Sequence, residues 1–113
     1  MNYEPRKRIR FDKTQNKFLM SKDFYWDFDM TLAKFIVDGL TQFKQYIDFF
    51  VPTTYVLENG GNDELAQERY KKDIDRVVQI FTDYLKNDGY ELNLEKLDEG
   101  FTLLKKIFPT LWW

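Results

Sequence analysis

The chain has 113 residues, 43% of them hydrophobic and 32% charged, with a formal net charge of −2. This is the size and make-up of one ordinary domain, with no room for a cofactor domain beside a substrate domain. It has no cysteine and no histidine, which excludes disulfides, thiolate and imidazole metal sites, cysteine nucleophiles and histidine bases. An enzyme could still use carboxylate, lysine, tyrosine or Ser21 chemistry, or a Mg2+ held by carboxylates. No apolar run approaches the roughly 18 residues of a membrane-spanning helix. The basic N-terminus has no apolar block behind it, so the expected compartment is the cytoplasm, with no membrane contact.

Residues 1–22 form a basic arm or hairpin. Arg8-Ile9-Arg10-Phe11 and Lys17-Phe18-Leu19-Met20 are short runs separated by Asp12 to Asn16, a spacing that can pair as a β-hairpin. Seven Lys/Arg against two acids give this segment +5, whereas ten against seventeen give residues 23–113 −7. Arg6, Lys7, Arg8 and Arg10 could track phosphates, with Tyr3, Phe11 and Phe18 stacking on bases, as in single-strand binders. The acidic remainder should repel nucleic acid, and the arm could equally lie on the protein's own acidic body.

Three helices follow. Phe28, Leu32, Phe35, Ile36, Gly39, Leu40, Phe43, Ile47 and Phe50 recur in steps of three and four, which predicts an amphipathic helix over 28–51 that Pro52 ends. Thr53 to Leu57 has β propensity between Pro52 and Asn59-Gly60-Gly61 and reads as an extended connection. Leu65, Tyr70, Ile74, Val77, Val78, Phe81 and Leu85 predict a second helix over 63–87, with Gly60 to Asp63 as loop and cap. Leu94, Leu97, Phe101, Leu104 and Phe108 predict a third over 93–108, capped by Asn93 and stopped by Pro109. Gly100 inside it costs about 1 kcal/mol relative to Ala and is explained by a close helix crossing or as a tolerated blemish. Residues 109–113 are an aromatic tail whose Trp112 and Trp113 either fold back onto the helices or enter a partner. The expected fold is mainly α, a three-helix bundle-like single domain with a short N-terminal β-hairpin.

Eleven Phe, seven Tyr and three Trp make 19% of the chain aromatic. Most of these rings fill the core, but a small interior leaves some for a surface, which implies a partner or a second copy.

Asp23-Phe24-Tyr25-Trp26-Asp27-Phe28-Asp29 is the stretch that most resembles a catalytic motif. From Trp26 to Leu32 it resembles the first motif of the haloacid dehalogenase phosphatases, in which the first Asp attacks phosphorus. Met30 replaces the usual Gly, no buried strand precedes it and the chain is too short for that α/β core, so a carboxylate-dependent phosphatase ranks last. A Mg2+ site from Asp23, Asp27 and Asp29 alone lacks convergent ligands, and neither metal nor cofactor is expected. The stretch reads as a helix start, with Asp29 as N-cap, Phe28 and Ala33 as a hydrophobic staple, Asp27 near the positive dipole end, and Trp26 and Tyr25 anchoring the chain to the core.

Asp23-x-x-Trp26-Asp27-Phe28-Asp29-x-x-Leu32-Ala33-x-x-Ile36-x-x-Gly39-Leu40, together with Asp98-Glu99-Gly100-Phe101-x-Leu103-Leu104-x-x-x-Phe108 and Leu111-Trp112, resembles a group of small uncharacterised proteins of tailed bacteriophages. The resemblance implies a non-catalytic protein that binds a host or immune-system component in the host cytoplasm. It would act by protein contact or by sequestering a small nucleotide-like phosphorylated ligand, and would self-associate. The expected contact residues are Arg6, Lys7, Arg8, Arg10, Phe11, Trp112 and Trp113. The alternative is a nucleic-acid binder using the same arm.

Overall fold

A computed structural model describes residues 6–47, 50–86 and 93–112. The backbone forms two compact units, Met1–Leu32 and Ala33–Trp113. The fold is mainly α with a two-stranded antiparallel hairpin near the N-terminus. Among the described residues, no helix is long and apolar enough to cross a membrane.

In the first unit, β1 (Ile9–Asp12) pairs with β2 (Lys17–Met20), placing Ile9 opposite Met20, Arg10 opposite Leu19, Phe11 opposite Phe18 and Asp12 opposite Lys17. The Asp12 side chain closes the turn by accepting from the Thr14 and Gln15 backbone N–H groups at 2.9 and 3.1 Å and from Gln15 Nε2 at 3.1 Å. Asn16 takes the left-handed backbone at φ 53° that the turn demands, a conformation Asn tolerates. A 3-10 turn, Lys22–Tyr25, leads to α1 (Phe28–Phe43), which begins in this unit.

The second unit holds the core. α1 contributes buried Ala33 and Leu40, with half-buried Ile36 and Phe43 packed beside them. Phe28, Leu32, Phe35 and Gly39 are exposed. The sequence pattern had merged two neighbouring ridges of one helix, and only the ridge through Ala33, Ile36 and Leu40 faces inward. α1 also ends before residue 51: it stops at Phe43, a 3-10 turn spans Lys44–Tyr46, and Ile47 is fully buried.

Residues 53–58 are helical, not extended. α2 (Thr53–Glu58) starts because Pro52, at φ −62°, presents a carbonyl that accepts from Tyr55 and Val56 N–H. Tyr55, 1% exposed, then pins the turn by donating its hydroxyl to Asp73 at 2.6 Å. Tertiary anchoring outweighs the β propensity of the Thr/Val-rich segment. Gly60 and Gly61, at φ 66° and 82°, turn the chain into α3 (Asp63–Lys86), which Asn62 caps through Leu65 N–H at 3.0 Å.

The inward face of α3 is Ala66, Tyr70, Ile74, Val77, Ile80 and Phe81. It packs against α2 and against α4 (Leu94–Ile107), which Asn93 caps through Lys96 N–H at 3.1 Å. The centre of the α4 face is Gly100 and Ile107; Leu94, Phe101 and Phe108 are exposed. Gly100 marks the crossing: a Cβ there would lie 2.9 Å from Ile80 Cγ2 and 3.4 Å from Phe81 Cε2. A last 3-10 turn, Phe108–Thr110, buries Thr110, whose hydroxyl donates to the Ile107 carbonyl and stands 2.8 Å from the Tyr70 hydroxyl.

Candidate functional site

The basic arm is fastened through its backbone. Arg8 N–H donates to Ser21 Oγ at 3.0 Å, Ser21 N–H returns a bond to the Arg8 carbonyl at 3.0 Å, and Ser21 Oγ donates to the Arg6 carbonyl at 3.0 Å. Arg6 N–H reaches Asp23 Oδ2 at 3.3 Å. Lys7 leaves the cationic set, because its ammonium donates to the Trp26 carbonyl and to Thr31 Oγ1 at the start of α1. The guanidinium of Arg10 is 4.0 Å from Asp12, a loose pair, since the Asp12 carboxylate already accepts the three bonds of the turn.

The strand register separates charge from rings. Successive residues of a strand point to opposite faces, and directly opposed residues share one. Arg8, Arg10 and Leu19 therefore lie on one face with Ser21, and Ile9, Phe11, Phe18 and Met20 on the other. Phe11 and Phe18 meet edge to face with ring centroids 5.1 Å apart. An open groove of about 770 Å3 is lined by Arg8 and Arg10 with Lys7, Leu19 and Ser21, and also by Ile9 and Met20 of the other face. A phosphate held by the arginines and a base stacked on Phe11 would thus need opposite sides of the hairpin.

The acidic stretch serves the start of α1, with one correction. Asp27, not Asp29, is the residue before the helix: its carbonyl accepts from Thr31 N–H at 3.0 Å, and its backbone is left-handed at φ 49°. Asp29 falls in the first turn, where a carboxylate meets the positive dipole end. Phe28 packs edge to face on Tyr25 at 5.1 Å and on Phe24 at 6.1 Å. Trp26 and Tyr25 are not core anchors but exposed, at 60% and 58%. Among the described residues, no group of three acids is placed to hold a metal ion.

The second unit has its own polar cluster. Lys106 Nζ lies 3.1 Å from Glu58 and 3.5 Å from Asp73, and 4.5 Å from the centroid of the Tyr55 ring, joining α2, α3 and α4. Burial first, and then the bond to Asp73, push the Tyr55 hydroxyl far above its ordinary range. Such a phenol stays protonated and donates, which suits a structural clasp and not a nucleophile. Burial also raises Tyr70, partly offset by its bond to Thr110. Arg76 grips Glu99 with a two-bond fork of 2.6 and 2.9 Å, raising the guanidinium and lowering the carboxyl. Trp112 rests on Phe50, rings 5.4 Å apart, yet stays 64% exposed; Trp113 lies outside the described residues.

The chain matches no family model, no curated protein and no solved structure. Of the residues expected to act, Arg8 and Arg10 share a face, Lys7 is bound to backbone, Phe11 faces away, and Trp112 belongs to the second unit. The sequence reading missed Ser21 and Thr31, the hydroxyls that fix the arm. The strand alternation of Arg8-Ile9-Arg10-Phe11 could have revealed the two faces.

Proposed function

We propose that this chain is a non-catalytic binding protein whose hairpin holds a phosphorylated group on its basic face. That group is carried by a nucleotide-like small molecule or displayed by a host or immune-system protein. One observation carries the reading: Arg8 and Arg10 stand side by side on a face with the Ser21 hydroxyl, while the adjacent Asp12 carboxylate is taken up by the turn. Guanidinium forks match phosphate geometry, and the Ser21 hydroxyl, which donates to the Arg6 carbonyl and accepts from Arg8 N–H, fixes the backbone that carries them. Asp23 accepts from Arg6 N–H, Asp27 precedes α1 and Asp29 lies in its first turn, placements that support a structural role for this stretch over a phosphatase. The resemblance to phage proteins supports a host-cell setting for the partner.

The test is fluorescence anisotropy with labelled nucleoside triphosphate, phosphopeptide and single-stranded DNA, at about 50 and about 200 mM salt. The expected result is saturable binding of a phosphorylated probe, at least tenfold weaker in the Arg8→Glu/Arg10→Glu variant. No binding of the triphosphate or phosphopeptide at the lower salt overturns the reading. Preference for DNA would move the face to the nucleic-acid class.

A further inference from the structure

Among the described residues, the hairpin face opposite the arginines is largely exposed. Ile9, Phe11, Phe18, Met20, Tyr25 and Phe28 are all uncharged, and their exposure runs from 36% for Phe28 to 60% for Phe18. They form one surface, because the Phe11–Phe18 and Tyr25–Phe28 ring pairs are bridged by the Tyr25 hydroxyl donating to Met20 Sδ at 3.8 Å. A lone two-stranded hairpin is marginal in water, and side chains of this kind stabilise it only when something lies against them.

We infer that a second copy of this chain covers this face, joining two hairpins sheet to sheet about a two-fold axis. Three features select a second copy. With about 150–250 Å2 for each large side chain, the exposed fractions leave roughly 500 Å2 per copy. Two such faces bury about 1,000 Å2, the size at which a specific interface begins. None of the six side chains carries a charge that would choose an acidic or basic partner, whereas homodimer interfaces are the apolar class. In sheet-to-sheet packing the Arg8 and Arg10 face turns outward, so pairing brings no guanidinium against its own copy. The inference does not depend on what the basic face binds.

The test is sedimentation equilibrium of the full chain, with far-UV circular dichroism as the folding control. The wild type is expected to be a dimer at high micromolar concentration, as strongly associated at molar salt as at low salt, because apolar burial is not screened. Phe11→Lys/Phe18→Lys is expected to weaken association at least tenfold with an unchanged helical signal. The Arg8→Glu/Arg10→Glu variant keeps the wild-type dimer. A monomeric wild type at high micromolar concentration overturns the inference, and so does a dimer that dissociates at molar salt, since that would be a charge pairing of basic arm and acidic body. A dimer unaffected by the two lysines would place the interface elsewhere and overturn it equally.

Discussion

Replacing Gly100 by alanine opposes two effects of similar size, and the geometry decides between them. In a helix interior, Ala is favoured over Gly by about 1 kcal/mol. The new methyl, however, would lie 2.9 Å from Ile80 Cγ2 and 3.4 Å from Phe81 Cε2, where carbon pairs prefer about 3.5–4.0 Å. Ile80 and Phe81 are 3% and 4% exposed, so neither has solvent to retreat into. Overpacking of this kind costs about 1–3 kcal/mol, which leaves Gly100→Ala destabilising by about 1 kcal/mol. Ile80→Ala removes the obstructing methyl at a cost of about 2–5 kcal/mol. In that background Gly100→Ala should become stabilising by up to about 1 kcal/mol, a coupling of about 2 kcal/mol, in the range of touching pairs. Urea unfolding of the four proteins, followed by far-UV circular dichroism, measures the cycle. A stabilising Gly100→Ala in the wild type, or additive effects, would refute the close crossing of α3 and α4.

Tyr55→Phe should cost about 1–2 kcal/mol at neutral pH, because Asp73 loses a hydrogen bond to a charged acceptor. It should also flatten the alkaline limb of stability. The Tyr55 proton is held more tightly in the folded chain than in the unfolded one, so its contribution is complete below about pH 10 and lost as pH rises beyond it. Urea midpoints of wild type and variant, measured across that range, should converge; parallel curves would remove Tyr55 as the cause, with Tyr70 left to supply the residual slope. Asp27→Val should destabilise by about 1–2 kcal/mol, because a β-branched residue cannot adopt φ 49° cheaply. Asp27→Gly and Asp27→Asn should stay within about 1 kcal/mol of wild type in the same unfolding assay. Equal losses from all three would point to the carboxylate and not the backbone.

Helical period and caps were legible where one face of a helix meets one core. Tyr70, Ile74, Val77 and Phe81 announce α3, and Asn93 announces α4, because spacing and side-chain chemistry act locally. Gly100 was legible as a position needing explanation, and its cause is the long-range contact with Ile80. α2 was hidden for the complementary reason: the Tyr55 bond to Asp73 crosses 18 residues and overrides local propensity. The exposed ridge of α1 was read as core because Phe28, Leu32 and Phe35 carry the same period as Ile36, Leu40 and Phe43, and only packing tells the two apart. Of the candidate site, the cationic composition was legible and the orientation was not. Lys7 reads as one more cation until the fold brings it to the Trp26 carbonyl and Thr31, 19 and 24 residues away.

The segregation of the hairpin also constrains how the two proposed contacts combine. Stacked sheets stand about 10 Å apart, so a sheet-to-sheet pair turns its two Arg8 and Arg10 faces in opposite directions. No single nucleotide can bridge faces that point apart, and one ligand per chain is the stoichiometry that follows. A small phosphorylated molecule would then bind monomer and dimer with the same intrinsic affinity. A host protein or assembly that displays phosphate groups in pairs would instead gain from the second face through effective concentration alone. Disrupting the Phe11–Phe18 surface therefore separates the two kinds of ligand: it leaves the affinity for a free nucleotide unchanged and weakens the grip on a bivalent partner.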